Sequence, residues 1–129
     1  VVCAHYNDLH MLFTGDMGTE EENEILKLAE EDNSIQKEHL KHVQILKTAH
    51  HGSKGSSSPD FLSAMPLQAA FISYGKDNSY GHPSTEVTER MKKQNISLYE
   101  TGGNGAWALE SKGENVIIKR AVKSIVENE

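Results

Sequence analysis

The feature that most constrains this chain is a recurring succession: a short apolar run, then a polar turn, then a stretch that starts like a helix. The apolar runs at 9–14, 43–49 and 69–74 each end at turn residues, respectively Gly15-Asp16, His50-His51-Gly52 and Gly75. Short apolar runs bounded in this way read as strands. The run at 69–74 is nearly continuous, as in a strand buried on both faces. Helix starts lie downstream. Thr19 with Glu22 fits a capping box, and Glu20, Glu21 and Glu22 suit the positive end of a helix dipole. Ile25, Leu26, Leu28 and Ala29 give that helix an apolar side. Ser58-Pro59 is an N-cap with a first-turn proline for a helix over 59–65, and Ser84 or Thr85 caps another through about Gln94, with Val87 and Met91 on one side.

The remaining segments complete the outline. Runs at 1–6 and 9–14, separated by Asn7-Asp8, form a hairpin. The polar stretch 30–41 is a second, mostly exposed helix with a break at Asn33-Ser34. Residues 96–100, 106–110 and 116–121 are strands of a short meander, with turns at Gly102-Gly103-Asn104-Gly105 and Gly113-Glu114-Asn115. The end, Glu127-Asn128-Glu129, is frayed. A hairpin, strands alternating with helices, and a meander favour a layered α/β or α+β sandwich with its chemistry along one rim.

Composition removes several alternatives. The 129 residues suffice for one domain with a sizeable core, and no stretch approaches the ~20 apolar residues that span a bilayer. The net charge of -6 gives no global electrostatic case for nucleic-acid binding, although a local basic groove or a bound cation would escape that test. Cys3 is the only cysteine, so neither an internal disulfide nor a thiolate zinc cluster can form. The chain opens at Val1 inside a strand-like run, which reads as a piece cut from a longer protein or a processed product.

Three polar segments carry the chemistry. In Phe13-Thr14-Gly15-Asp16 the carboxylate can ligate one metal ion or bridge two, and it equally suits a strand-to-helix turn. In Thr48-Ala49-His50-His51-Gly52-Ser53 extended backbone would point the adjacent imidazoles to opposite faces. One can then serve as a ligand while the other orients a ligand or moves a proton, and the pair equally suits two polar residues at a strand end; Gly52 admits a close backbone approach. Beyond them Lys54 and Ser56 to Ser58 can hold a phosphate or simply form a solvated loop. Asn78, Tyr80 and His82 offer an amide, a phenol and an imidazole from a loop whose Gly81 and Pro83 also suit an ordinary turn. His5 and His10 face each other or solvent on the hairpin, His39 and His42 lie on a polar stretch, and Trp107 reads as core.

These segments together, with Tyr99-Glu100-Thr101 and Gly105-Ala106, resemble the metallo-β-lactamase-fold domain of ComEC-type competence proteins, in matching order through most of the chain. The resemblance implies an αββα sandwich with a metal site at one edge. It implies Asp16 as the metal-bridging carboxylate and His50 or His51 as the last histidine ligand, with His50 preferred. It implies two divalent ions, zinc or manganese, with His51 and His82 catalytic and Lys54, Asn78 and Tyr80 contacting substrate. The fold's His-x-His-x-Asp-His signature is absent here and normally lies before Val1. The chain thus reads as the C-terminal half of that domain, inactive alone, with an incomplete site and apolar surface that the missing N-terminal half or a homodimer would cover. The implied activity is a phosphodiesterase or nuclease acting on DNA during uptake. The implied parent is membrane-attached, with this domain outside the cytoplasmic membrane, or else cytoplasmic. A non-catalytic binding or assembly domain, and a stand-alone hydrolase of a small ester or lactone, are the alternatives.

Overall fold

The computed structural model describes residues 1–112 and 115–121. The expected turn at Gly113-Glu114 and the chain end at Glu127-Asn128-Glu129 lie outside the described residues.

Strands β1 (Val2–Tyr6) and β2 (Leu9–Phe13) form the expected hairpin, with Tyr6 opposite Leu9 and His5 opposite His10. Asn7 supplies the positive φ, 51°, that a two-residue turn needs. Next come helices α1 (Thr19–Ala29) and α2 (Ile35–Leu40), strand β3 (Ile45–Lys47), helix α3 (Pro59–Ser63), strand β4 (Ala69–Ile72), helix α4 (Thr85–Lys93) and strand β5 (Ser97–Glu100). The sheet order is β1-β2-β3-β4-β5, and β2 through β5 are parallel. Parallel neighbours require crossovers, and the intervening helices provide them. Strands β6 (Ala106–Lys112) and β7 (Asn115–Ala121) form a separate antiparallel pair. The architecture is α/β. No helix among the described residues is long and apolar enough to cross a membrane.

Two expectations about the strands need correction here. The last three strands do not form a meander. Helix α4 returns the chain so that β5 pairs with β4 in parallel, and the turn after Thr101 then carries it out to the β6–β7 pair. The strand expected over 43–49 is also shorter, because the chain leaves extended backbone after Lys47 and enters a 3-10 turn at Ala49–Gly52.

Strand alternation divides the sheet into two faces. Leu12, Leu46 and Ala70 stand in register and are buried with Phe61, Leu62, Val87 and Met91 of the helices. Apart from the small Ala70, each of these side chains contributes about 1.5–3 kcal/mol on burial. The other face carries Met11, Lys47, Phe71 and Tyr99, partly covered by Trp107 and Leu109 of the β6 strand. The Trp107 ring meets Tyr99 edge-on at 5.1 Å, and its Nε1–H donates to the Glu100 carbonyl at 2.9 Å. Toward β1, Val2, Tyr6 and Phe13 of this face are exposed.

The start of α1 differs from the expected cap by one residue. Gly18 is the N-cap, and its N–H donates to the Glu21 carboxylate at 2.8 Å. Thr19 instead donates its hydroxyl to the Gly55 carbonyl at 3.0 Å, and Glu22 turns into the protein, where it is 1% exposed.

Candidate functional site

Because β2 to β5 run in parallel, the loops that follow them emerge at a single edge of the sheet. In open α/β sheets this is where ligand crevices form. All three polar segments singled out in the sequence lie in those loops.

The Asp16 turn comes first. Thr14 donates its hydroxyl to the Lys47 carbonyl at 2.8 Å, and the His50 N–H donates to the Gly15 carbonyl at 2.9 Å. The carboxylate turn and the histidine doublet are therefore joined through backbone. Asp16 itself is exposed. Burial lowers the Lys47 ammonium below its ordinary value, and the Asp16 charge pulls it partly back, so the two groups share one field.

The doublet is not extended, contrary to expectation. His50 (φ 45°, ψ 45°) and His51 (φ 54°, ψ 27°) both occupy the left-handed region, which costs a residue with a Cβ about 1–2 kcal/mol. Neighbouring bonds hold them there: His50 N–H to Gly15, Ser53 N–H to the His50 carbonyl at 3.0 Å, and the Ser56 hydroxyl to the Ala49 carbonyl at 3.3 Å. The expected divergence of the two rings does not occur. They lie 6.4 Å apart, and the His82 ring stands 5.6 Å from His50 and 6.4 Å from His51. Three imidazoles thus converge.

His51 is oriented by its Nδ1, 2.6 Å from the Ser73 carbonyl. A carbonyl only accepts, so Nδ1 carries the hydrogen and the neutral ring keeps its lone pair on Nε2. His82 is fixed differently. The Asn78 amide donates to the Gly75 carbonyl at 2.9 Å and to the His82 carbonyl at 2.7 Å, and its oxygen accepts from the His82 N–H at 3.0 Å. Asn78 therefore shapes the loop that presents His82. Tyr80 is 81% exposed and lies nearly parallel to His82 at 6.0 Å. The two loops meet at Gly52 (φ +78°), where an added Cβ would stand 2.8 Å from the Pro83 Cβ. The Ser84 N–H donates to the Gly52 carbonyl at 2.9 Å.

A cleft of about 450 Å³ opens here, lined by His51, Ser73, Tyr74, Asn78, Tyr80 and His82 among others. Its wall is rigid. Thr101 bonds both the N–H and the carbonyl of Tyr74, and the Tyr74 hydroxyl donates to Glu100 at 2.6 Å. That hydrogen bond, then burial, then the Glu100 charge push the phenol up to about 12, so it stays protonated at neutral pH. Lys54 is exposed and does not line the cleft; its loop is drawn toward α1 by the Thr19 N–H, which donates to Gly55 at 2.9 Å.

Sequence reasoning missed the supports. The buried Glu22 carboxylate accepts from the Ser57 N–H at 2.5 Å and the Ser58 N–H at 2.8 Å. Arg90 donates to the Ser57 carbonyl at 2.6 Å from the other side. The capping-box pattern picks out Glu22 only as a partner of Thr19, because its actual role is set by a loop 35 residues away.

A second group of histidines lies elsewhere. His5 and His10 stack at 5.3 Å, and His42 stacks on His10 at 5.3 Å. The His10 Nδ1 is buried without a hydrogen-bond partner. Among the described residues no group of three or more His, Cys, Asp or Glu side chains is placed to hold a metal ion.

The chain is similar to three competence and recombination proteins. It is 32% identical over 94 residues to ComE operon protein 3 of Bacillus subtilis, covering 73% of this chain and 11% of that protein. It is 41% identical over 63 residues to Competence protein ComA of Neisseria gonorrhoeae, 49% of this chain and 9% of that protein. It is 33% identical over 63 residues to Recombination protein 2 of Haemophilus influenzae, 49% of this chain and 8% of that protein. The chain thus spans about a tenth of the length of the curated relatives it matches. No family model and no solved structure matches it.

Proposed function

We propose that this chain, whose relatives are ComEC-type competence proteins, is the C-terminal part of a metal-dependent hydrolase, a phosphodiesterase or nuclease acting on DNA during uptake. Two findings support the reading. The relatives are named for competence and recombination. The convergence of His50, His51 and His82 at the edge where parallel strands end carries it further, because a hydrolase needs oriented proton acceptors and donors around one cleft.

In this proposal His51, with Nδ1 held by Ser73, accepts a proton through Nε2. His82, held by the Asn78 loop, donates one to the leaving oxygen. Asp16 and His50 are the metal ligands this chain offers, for zinc or manganese. Two ligands do not fill a tetrahedral zinc site. The chain alone is therefore not a fitting cation site, and the proposal assigns the remaining donors to a segment outside these 129 residues.

The test is hydrolysis of DNA and of bis(p-nitrophenyl) phosphate by the full-length protein that carries this chain, with manganese or zinc supplied. Asp16→Ala is expected to lower kcat/KM on both substrates by at least about 100-fold. Unchanged turnover in that variant overturns Asp16 as a metal ligand, and absence of metal-dependent turnover in the native protein overturns the hydrolase reading. DNA binding without cleavage under any metal would instead identify an assembly domain.

A further inference from the structure

Tyr80 is unusual for a large ring. Its 81% exposure is the highest among the large hydrophobic side chains described, yet the loop that carries it is firmly built. Three hydrogen bonds from one amide, Asn78, hold that loop, and Pro83 packs against Gly52 at its base. The Tyr80 ring is inclined 25° to His82, and His82 is inclined 24° to His51. The three flat rings make a stepped series beside the cleft, with Tyr80 as its outermost member. An ordered, solvent-facing aromatic ring leading toward imidazoles is a stacking surface for a planar ligand.

Charge narrows the ligand's mode of binding. The chain carries -6 overall, Lys76 and Asp77 of the same loop offset each other, and Lys54 lies outside the cleft lining. With no lysine or arginine lining the cleft among the described residues, counterion release at this site is a poor source of affinity for a polynucleotide, and contact with the bases must supply it. A base inside a duplex already has both faces covered by its neighbours, whereas an unpaired base has a face to offer.

We propose that Tyr80 stacks an unpaired nucleobase and thereby sets a flanking phosphodiester over the His50, His51 and His82 cluster, making single-stranded nucleic acid the preferred substrate class. This rests on the reading of the site as a phosphodiesterase and adds to it the residue that selects the strand.

Binding is measured by fluorescence anisotropy with the full-length protein in excess chelator, so that cleavage does not intervene. The probes are labelled oligothymidylate, an abasic oligomer of equal length and a duplex. The native protein is expected to bind oligothymidylate at least about tenfold more tightly than the other two. Tyr80→Ala is expected to remove that difference, and Tyr80→Phe to keep it, with changes of about tenfold matching the loss of one stacked base. Equal affinity for the abasic and thymidylate probes, or an unaltered preference in Tyr80→Ala, overturns the proposal. Because the readout is binding without turnover, it stands apart from the Asp16→Ala hydrolysis test, and either can fail alone.

Discussion

Six of the seven histidines fall into two groups that use the same side chain in opposite ways. At the loop edge the His50 ring is inclined 66° to His51 and 70° to His82, and backbone bonds place all three: His50 through its N–H to Gly15, His51 through Nδ1 to Ser73, and His82 through the Asn78 loop. On the hairpin the rings lie nearly flat on one another, at 19° and 29°. The first arrangement leaves the Nε2 of His51 beside a cleft. The second covers the Nδ1 of His10 and gives it nothing to bond. Proximity of imidazoles, or their near-parallel stacking, is thus no sign of chemistry, since His51 and His82 are inclined by only 24°; the partner of the second nitrogen is what separates the groups.

The sharpest way to break that contrast is to delete one ring from each group. In the full-length protein His51→Ala is expected to lower phosphodiester hydrolysis by about 100-fold or more, whereas His10→Ala should keep it within about twofold. Equal losses in a steady-state assay would erase the distinction. Next in size is Gly52→Ala, which combines φ +78° with a Cβ 2.8 Å from Pro83. It should separate the two histidine-bearing loops, costing about 1–3 kcal/mol in chemical denaturation and about tenfold in turnover, while leaving the hairpin group untouched.

Glu22→Gln sharpens the comparison at the level of supports. The amide would set an NH2 group against the Ser57 or Ser58 N–H, an uncompensated clash of donors in a buried site. Urea titration should show a loss of about 1–3 kcal/mol. A neutral result would mean that the 52–58 loop holds its shape without α1.

The smallest effect concerns pH. Burial lowers His10 below its ordinary 6.5, His42, His5 and His39 lower it further, and Asp8 opposes them. Beyond His42 stands Glu38, 3.3 Å from its Nε2 and also paired with Lys41. The native state therefore holds His10 neutral while the unfolded chain takes up a proton near 6.5. Its contribution to stability is complete above 6.5, falls as pH drops from there to the lowered native value, and changes no further below it, with a slope of at most about 1.4 kcal/mol per pH unit. Melting temperatures at neutral and mildly acidic pH should diverge in the native protein and converge in His10→Phe.

Much of the fold was legible because it rests on local signals. The Asn7-Asp8 turn, the Ser58-Pro59 start and the Val87/Met91 side of α4 each depend on a few adjacent residues. The same reading placed the polar segments along one rim. It failed where long-range bonds prevail. Periodicity assumed extended backbone through His50 and His51, but the Gly15 carbonyl and the Ser53–Ser56 turn hold them left-handed. It set the cap at Thr19 because the Gly55 carbonyl that engages Thr19 is remote in sequence. It treated β5 as part of a meander because no local feature tells a pairing with β4 from one with β6. The stacking of His42 on His10 was likewise invisible, since it joins α2's end to the hairpin.

The carboxylate of Glu22 also changes how the histidine loop should breathe. Ser57 and Ser58 belong to no strand or helix, yet their amides are tied to a side chain rooted in α1. Such protons should resist deuterium replacement as long as those of the sheet, surrendering only when the whole domain opens. A segment with the composition of a tether is in effect a piece of the interior worn at the rim.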